Sequence, residues 1–359
     1  MKTVRVSAVL PLLIAATFLL CIASPSALAA EKTRFRVAWS IYVGWMPWEY
    51  AASQGIVKKW ADRYGIEIEV VQINDYIESI NQYTAGAFDG CVMTNMDALT
   101  IPAAGGVDST ALIVGDFSNG NDGIVLKKAT TLKDIKGRKV NLVELSVSHY
   151  LLARALDTVG LKERDITVVN TSDADIVAAF SSPEVTALVT WNPQLSEIKA
   201  MPGAHLVFDS SRIPGEIIDM MVVNSATLKD NPKLGKALVG AWYETLAMMA
   251  RSDAAGAAAR THMGQASGTD LAGFENQLKT TRMFYTAAEA VTFTDSADLV
   301  QTMDHVRRFS FEHGILGEGA RSVDAVGIAF PGGKMLGDKG NVKLRFTSDY
   351  MKMAADGRL

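Results

Sequence analysis

Cysteine is almost absent from this chain of 359 residues, which contains only Cys21 and Cys91. Two cysteines cannot build a disulfide-rich scaffold or a four-cysteine zinc site, so both are excluded. The five histidines are scattered, and no segment has the spacing of a zinc protease, a nucleophile elbow or a phosphate-binding loop. We therefore predict no catalytic residues, no metal site and no cofactor, which favours a protein that is not an enzyme.

The chain also lacks an excess of positive charge. It has 35 Lys and Arg residues against 39 Asp and Glu residues, which gives a formal net charge of −4. Without a basic surplus to neutralise phosphates, nucleic acid is not an expected partner. With 48% hydrophobic and 21% charged residues, the composition is that of a globular protein and not of a disordered or fibrous one. The length predicts about two domains.

Long hydrophobic runs are missing except near the amino terminus. There a charged segment with Lys2 and Arg5 precedes an apolar run over residues 8–22, and small residues follow at 27–29. This pattern predicts a cleaved signal peptide over residues 1–29. The mature protein is therefore expected in the periplasm.

Two other interpretations of this segment are weaker. Lipid attachment at Cys21 is disfavoured because the bulky Leu20 stands where a lipoprotein signal has a small residue. A retained membrane anchor is disfavoured because the apolar run is shorter than the ~20 residues that a membrane span needs. Removal of the segment would take two basic residues with it and change the formal net charge from −4 to −6.

From residue 34 onward, short strand-forming runs alternate with helical segments, which is typical of a layered α/β fold. Beyond residue 223 the sequence becomes mostly helical and rich in alanine. The pattern predicts strands over residues 34–39, 66–73, 88–93, 109–115, 139–143, 166–170, 185–190 and 217–223. It predicts helices over residues 48–64, 75–85, 97–104 and 173–180, and one that follows residues 146–149 and ends at Gly160.

The order of these elements resembles the periplasmic solute-binding receptors of ABC importers, in the nitrate, sulfonate and taurine branch with its type II fold. The resemblance is strongest to the members of this branch that are associated with urea and guanidine. It lies in roughly the first half of the mature chain, where the order and spacing of five segments make it specific. These segments are residues 39–49, 85–90, 132–137, 146–160 and 189–193.

The resemblance implies an α/β protein of two lobes, each a mixed sheet flanked by helices, with the chain crossing twice between them. It places lobe 1 at residues 34–117 plus 222–359 and lobe 2 at residues 118–221. The lobes would close on a small molecule, and the receptor, a monomer, would deliver this ligand to a membrane permease driven by a cytoplasmic ATPase. Open α/β sheets bind ligands at the carboxyl ends of their strands, so the ligand contacts are expected in the loops there.

Around this expected cleft, the residues differ from those of an anion receptor. The helix start at 146–149 would offer free N–H groups to an anion, but Glu144 stands two residues before it. Glu49, Asp75 and Asp97 also lie just after strands or at helix starts, and no Lys or Arg occupies these loops. A cleft of this kind would repel a sulfonate and favour a small cation or an amide donor.

Aromatic residues accompany these carboxylates. Trp45 and Trp48 lie in the first loop, and Trp191 lies at the end of a strand in the other lobe. Flat rings combined with carboxylates can hold a planar, delocalised cation. The resemblance to the guanidine-associated members therefore implies guanidinium, urea or a small substituted guanidine as ligand. The alternatives are a sulfonate or taurine receptor of the same family and, less favoured, a secreted enzyme on this fold.

Several of these residues also have a structural explanation. Asp75 and Asp97 stand where Asp commonly caps a helix, and the first-turn position of Glu49 is favoured by the helix dipole. Whether Asp75 and Asp219 face the cleft stays open. The predicted ligand-binding residues are Trp45, Trp48, Glu49, Asp75, Asn95, Asp97, Glu144, Ser146, His149 and Trp191.

Overall fold

A computed structural model describes residues 2–3 and 32–359 and shows two mixed β-sheets flanked by helices. In chain order, the strands of the described residues are β1 (Arg34–Trp39), β2 (Glu67–Gln72), β3 (Gly90–Thr94), β4 (Ser109–Ser118), β5 (Asp122–Lys127), β6 (Lys139–Leu142), β7 (Thr167–Asn170), β8 (Ala187–Trp191), β9 (Ala204–Asp209), β10 (Ile218–Asn224), β11 (Thr281–Met283), β12 (Gly327–Ala329), β13 (Met335–Leu336) and β14 (Val342–Phe346).

The helices cover the faces of these sheets. In chain order they are α1 (Met46–Ser53), α2 (Ile56–Arg63), α3 (Tyr76–Thr84), α4 (Asn95–Ala98), α5 (Val147–Thr158), α6 (Ile176–Ser181), α7 (Gln194–Lys199), α8 (Ser225–Asp230), α9 (Pro232–Met249), α10 (Ala254–Ala266), α11 (Leu271–Leu278), α12 (Ala287–Thr294), α13 (Ala297–Glu312) and α14 (Asp349–Ala355).

The two sheets use different parts of the chain. The first sheet has the strand order β13-β12-β14-β4-β10-β3-β1-β2, with β11 also paired to β4, and the second has the order β7-β6-β8-β5-β9. Both contain parallel and antiparallel pairs, as predicted for mixed sheets. The chain passes from the first sheet to the second after β4 and returns before β10, which confirms the predicted two crossings.

The first sheet is built around three adjacent strands, β3, β10 and β4. Every residue of β3 is buried, and β4 and β10 are buried over almost their whole length. Such nearly continuous apolar strands are typical of a sheet covered on both faces. Since β10 belongs in full to the first sheet, the return of the chain precedes Ile218. The predicted lobe boundaries at 117/118 and 221/222 stay a prediction.

Most of the predicted strands are present with ends shifted by a few residues, and six strands of the structure were not predicted. Strands β5 and β9 were not predicted, although they complete the second sheet. In the mostly helical carboxyl half, β11 to β14 were also not predicted. The strand β14 pairs with β4, with Leu344 opposite Ser109. Short strands of this kind depend on a distant partner, so their own sequence signals them weakly.

The predicted helix over 48–64 is divided into α1 and α2. Between them Gly55 adopts a φ of 71°, a left-handed conformation that ends a helix and that glycine adopts without a steric cost. The predicted helix over 97–104 begins earlier, at Asn95, and continues after α4 as a π-type turn over Leu99–Ala103 that contains Pro102.

Most of the predicted signal peptide over 1–29 lies outside the described residues. Within the part of the chain that the structure describes, no helix combines the length and the apolarity that a membrane crossing needs.

Candidate functional site

A small cavity of about 10 Å³, roughly the space of one water molecule, lies between the two sheets. It is bounded where strands end: Thr94 is the last residue of β3, Trp191 is the last residue of β8, and Asp122 is the first residue of β5. These ends face one another, so the cavity is the meeting place of loops and strand termini from both sheets. The residues that line it are Tyr42, Trp45, Tyr76, Thr94, Asp122, Val147, Trp191, Ile217 and Asp219.

Four aromatic rings form a continuous wall of this cavity. The ring centroids of Tyr42 and Trp45 are 5.0 Å apart, those of Trp45 and Tyr76 are 5.7 Å apart, and those of Tyr76 and Trp191 are 5.6 Å apart. The last pair joins α3, which leads into the first sheet, to β8 of the second sheet. The wall therefore spans both sides of the cavity and offers ring faces and edges to a flat ligand.

The strand register brings polar side chains together on the first-sheet side. Asp219 on β10 pairs with Thr94 on β3 and with Asp116 on β4. These three residues lie far apart in the sequence, but side by side across three neighbouring strands. Asp219 is 3% exposed and Asp116 is 0% exposed, so two carboxyl groups are buried next to each other.

Asp116 and Asp219 interact as a pair. The hydroxyl groups of Tyr42 and Thr281 donate to Oδ1 of Asp116 at 2.7 Å and 2.6 Å. Burial raises the pKa of Asp116 to about 6 despite these donors. Burial and the nearby charge of Asp116 raise the pKa of Asp219 well above its ordinary value. Two buried carboxyls side by side resist being charged at the same time, because two negative charges in one apolar place repel each other.

The backbone beside this pair leaves no room for a side chain. A Cβ on Gly44 would lie 2.6 Å from Oδ2 of Asp116 and 2.5 Å from the ring of Tyr42. Gly44 lies in the 3₁₀ turn Val43–Trp45 that leads into α1. Glycine at this position therefore permits the loop to pass directly over the carboxyl pair.

Asp122 supplies the carboxylate of the second sheet. It pairs with Trp191 in the ladder between β5 and β8. The hydroxyl of Ser118 donates to its Oδ2 at 2.5 Å. Burial raises the pKa of Asp122 to about 7, and the charges of Asp116 and Asp97 act in the same direction. The charges of the carboxyl groups on one side of the cavity therefore affect the pKa of the carboxyl group on the other side.

Asp97 lies directly behind the cavity wall. Its Oδ2 accepts hydrogen bonds from the hydroxyl groups of Tyr76 at 2.6 Å and Thr94 at 2.8 Å. Burial raises the pKa of Asp97 to about 6, and its hydrogen bonds, including one from the N–H of Val147, lower it. Its Oδ1 has no hydrogen-bond partner of ordinary geometry in the described part of the chain.

Buried acidic groups cluster around the site, and no basic group of the described residues lines it to balance them. Among the described residues, those that line the cavity include no Lys, Arg or His. Oδ1 of Asp97, Oδ2 of Asp116 and Nε1 of Trp45 are buried without a hydrogen-bond partner there. Within residues 2–3 and 32–359 no group of three or more acidic, His or Cys side chains has the arrangement of a metal site. The arrangement suits an organic cation with several N–H donors.

The structure brings some of the predicted ligand-binding residues together at this cavity. Trp45 and Trp191 line it, and Asp97 contacts two lining residues. Ser146 caps α5, whose first residue Val147 lines the cavity. Asn95 is buried, and its Oδ1 accepts the N–H of Ile218 at 3.0 Å beside the cavity. Direct ligand contact by these residues stays a prediction.

Other predicted residues lie elsewhere. Trp48 packs against Trp242 with ring centroids 5.1 Å apart. Oε2 of Glu49 lies 2.9 Å from Nε2 of His262, away from the cavity lining. Glu144 is exposed to solvent. These side chains already contact other groups or water, and none of them lines the cavity.

Asp75 and His149 also have other partners. Asp75 caps α3 by accepting the N–H of Glu78 at 2.9 Å, which is the structural role that the sequence left open. Nε2 of His149 lies 3.1 Å from Oε1 of Glu163. Neither Asp75 nor His149 lines the cavity.

Sequence reasoning did not select Tyr76, Asp116, Asp122 and Asp219 as ligand-binding residues. The sequence left open whether Asp219 faces the cleft, and in the structure Asp219 lines the cavity. Asp116 and Asp122 flank the loop cluster at residues 118–121 where the chain leaves the first sheet. An acidic residue on either side of a crossover between two sheets was the available signal, because such a crossover passes the cleft.

Comparison with known proteins places this geometry in context. The profile of the NMT1-like family matches residues 31–263. A protein of Brucella abortus (strain 2308), named as a binding protein, is 25% identical over 220 residues, which are 60% of this chain and 66% of that relative. This chain therefore spans just under two thirds of the length of that curated relative. The taurine-binding periplasmic protein of Escherichia coli is 22% identical over 129 residues, 35% of this chain and 40% of that protein.

Solved structures show the same fold. The alkanesulfonate-binding protein of Xanthomonas axonopodis pv. citri, solved with MOPS bound, superposes with a TM-score of 0.67 at 20% identity. The superposition covers 81% of this chain and 96% of that chain. At this identity the likeness establishes the fold, which confirms the predicted type II periplasmic-binding-protein architecture.

Proposed function

Because the chain belongs to the NMT1-like family, we propose that it is a solute-binding receptor of an ABC importer that captures a small nitrogen-rich cation of the guanidinium type. It would act in the periplasm as a monomer and deliver its ligand unchanged to a membrane permease with a cytoplasmic ATPase. The ligand would be enclosed between the two sheets by closure of the lobes.

One observation carries the choice of ligand. Asp122 and Asp219 face the cavity from opposite sheets, Asp97 and Asp116 lie behind them, and no basic side chain lines the cavity within the described chain. Buried carboxylates without a positive partner are costly. A cation in the cavity would supply the missing charge, whereas an anion would add to the repulsion.

The shape and donors of guanidinium match this site. Its flat face can stack on an aromatic wall while its N–H groups point at carboxylates in its plane. With a volume of about 10 Å³, roughly the space of one water molecule, the cavity lies far below the range of about 300–1,000 Å³ usual for drug-sized ligands, which favours a very small molecule. The four heavy atoms of guanidinium could gain about 6 kcal/mol, so a dissociation constant of tens of micromolar is expected.

Urea and small substituted guanidines share these donors. Urea lacks the positive charge, so it would leave the carboxylates uncompensated. We therefore expect guanidinium to bind more tightly than urea, by at least about tenfold if one charged hydrogen bond is at stake.

A taurine or sulfonate receptor is the second candidate. It is favoured by the similarity to the taurine-binding protein of Escherichia coli and by the fold shared with the alkanesulfonate-binding protein. The acidic cavity opposes it, because a sulfonate would face Asp122 and Asp219 with no Lys or Arg among the described lining residues.

Isothermal titration calorimetry of the purified protein with guanidinium, urea, taurine and ethanesulfonate would decide between these candidates. The proposal expects saturable binding of guanidinium and none of ethanesulfonate. Binding of taurine without binding of guanidinium would refute it. Recovery of the bound compound unchanged after long incubation separates a receptor from a secreted enzyme on this fold, which would consume it.

A further inference from the structure

A second small cavity adjoins the candidate site. Its volume is about 10 Å³, and Trp45 and Asp219 line both this second cavity and the candidate site. The two cavities are therefore neighbours that share part of their walls. The other residues that line the second cavity belong to the helices α1 and α9 and to the strands β3, β4 and β10. It lies on the side of the first sheet.

A bulge in β4 contributes to the space of the second cavity. The register between β4 and β10 shifts by one residue beside Asp219, which leaves Gly115 without a partner on β10. Bulges bend a strand and re-aim its side chains, and they are common next to binding sites. Gly115 has no side chain to fill the space, and a Cβ there would lie 3.1 Å from Cζ2 of Trp242. The second cavity therefore depends on glycine at the bulge.

Three indole rings line the second cavity, those of Trp45, Trp48 and Trp242. The ring centroids of Trp48 and Trp242 are 5.1 Å apart. Among the described residues that line the second cavity, Asp219 is the one with a charge, and the other lining side chains are apolar. Indole faces attract cations and the alkyl groups attached to them. The second cavity therefore suits a small alkyl group of a cation whose charged part stays beside Asp219.

We propose that the ligand is an N-methylated guanidinium, with its planar group in the candidate site and its methyl group in the second cavity. The inference rests on the proposed function and narrows the substrate class of that site. Plain guanidinium has no group that reaches the three indole rings. One extra carbon in an apolar pocket that fits it improves affinity by about tenfold or more. A longer alkyl chain exceeds a space of about 10 Å³.

Titration calorimetry of the purified protein with guanidinium and methylguanidinium tests this inference. The wild type should bind methylguanidinium about tenfold more tightly than guanidinium. In Gly115→Ala, the added Cβ crowds Trp242 and takes up space in the second cavity, so this preference should be lost. The matched control is Gly319→Ala, at an exposed glycine whose Cβ would meet no atom within 4 Å. This control should keep the preference of the wild type.

A second variant tests the inference in the opposite direction, should Gly115→Ala fail to fold. Ile113 lines the second cavity, and Ile113→Val enlarges it by one methylene. Ethylguanidinium should then gain about tenfold in affinity relative to methylguanidinium. A folded Gly115→Ala that keeps the preference for methylguanidinium, or a folded Ile113→Val without this gain, overturns the inference.

The wild type alone also separates the possible outcomes. Nε1 of Trp45 and Nε1 of Trp242 are buried without a hydrogen-bond partner in the described chain, so a water molecule is the competing occupant of the second cavity. If the wild type binds guanidinium at least as tightly as methylguanidinium, the second cavity does not take the methyl group, and the inference fails while the proposed function stands. If the wild type binds taurine and neither of the two guanidinium compounds, it is the proposed function that fails.

Discussion

The carboxylate of Asp173 accepts a hydrogen bond from the backbone N–H of Tyr76 at 3.1 Å, although the two residues belong to opposite sides of the cavity. Asp173 follows β7 of the second sheet, and Tyr76 begins α3, between β2 and β3 of the first sheet. Beside it, the hydroxyl of Ser172 donates to Oδ2 of Asp75 at 2.8 Å. Residues of the second-sheet side thus hold the amino end of α3.

The first prediction concerns this contact. Asp173 does not line the cavity, so Asp173→Ala should weaken guanidinium binding only by making the closed arrangement less stable. Loss of one hydrogen bond to a charged acceptor costs about 1.5–3 kcal/mol, which is roughly a tenfold to hundredfold increase in the dissociation constant. Asp175→Ala, at an exposed position two residues on, is the control and should bind as the wild type does. Equal affinities of the two variants would contradict a role of Asp173 in closure.

The second prediction is that guanidinium binding tightens as the pH rises from 5 to 8. Burial raises the pKa of Asp116 to about 6 and that of Asp122 to about 7, so these groups hold protons that a cation must displace. Guanidinium keeps its charge over this range. The dissociation constant should therefore fall by up to about tenfold per pH unit for each proton released. Calorimetry in buffers with different heats of ionisation would count the protons, and Asp122→Asn should release fewer.

The third prediction concerns stability without ligand. A buried Asp whose pKa is raised binds more protons in the folded chain than in the unfolded chain between about pH 4 and 7. For Asp97, Asp116 and Asp122, burial raises the pKa to about 6, 6 and 7, so the free energy of unfolding should decrease as the pH rises through these values. The hydrogen bond to Glu163 raises the pKa of His313, which acts in the same direction.

Thermal unfolding would check this expectation. We expect the melting temperature of the free protein to be lower at pH 8 than at pH 5 by at least about 2 °C. Guanidinium at low millimolar concentration, far below denaturing levels, should raise the melting temperature more at pH 8 than at pH 5. A larger effect of the ligand at pH 5 would be inconsistent with charge compensation by the ligand.

The fourth prediction concerns the aromatic wall. Trp191 pairs with Asp122 in the ladder and with the ring of Tyr76 across the cavity. Trp191→Ala should weaken guanidinium binding by about tenfold to thirtyfold, because a desolvated cation–π contact contributes up to about 2 kcal/mol. Trp191→Phe retains a ring face and should lose less. Calorimetry on the two variants would measure the difference, and equal losses would argue against stacking.

The fifth prediction separates the two acidic residues that the structure places apart from the cavity. Glu49 is paired with His262, and Glu144 is exposed. Neither lines the cavity, so Glu49→Gln and Glu144→Gln should leave the affinity for guanidinium within about twofold of the wild type, in the range of ordinary surface substitutions. A tenfold loss in either variant would show that the residue joins the site.

Much of the fold followed from local pattern. The run at β1 and the glycine after α5 are short-range signals that the structure bears out. The second sheet was incomplete because the short apolar runs of β5 and β9 were not recognised as strands. The strands β12 to β14 depend on β4, more than 200 residues earlier in the chain.

The sequence predicted the chemical character of the site but not which residues form it. The sequence indicated acidic residues with aromatic rings and without Lys or Arg, and a cavity with this character is present. It named Glu49 and Glu144, which lie elsewhere, and passed over Asp116 and Asp122. A side chain after a strand can point to either side of the sheet, and sequence position alone does not say which.

The sequence by itself determined the α/β class and the excess of carboxylates, because periodicity and composition are local properties, whereas the two crossings between sheets were implied by its resemblance to a known family. Only the tertiary structure decided which carboxylates meet. Asp219 lies beside Asp116 and Thr94 because β10 runs antiparallel between β4 and β3 in one particular register. A shift of one residue would turn Asp219 to the opposite face of the sheet. That register depends on the packing of segments more than 100 residues apart, which no local pattern specifies.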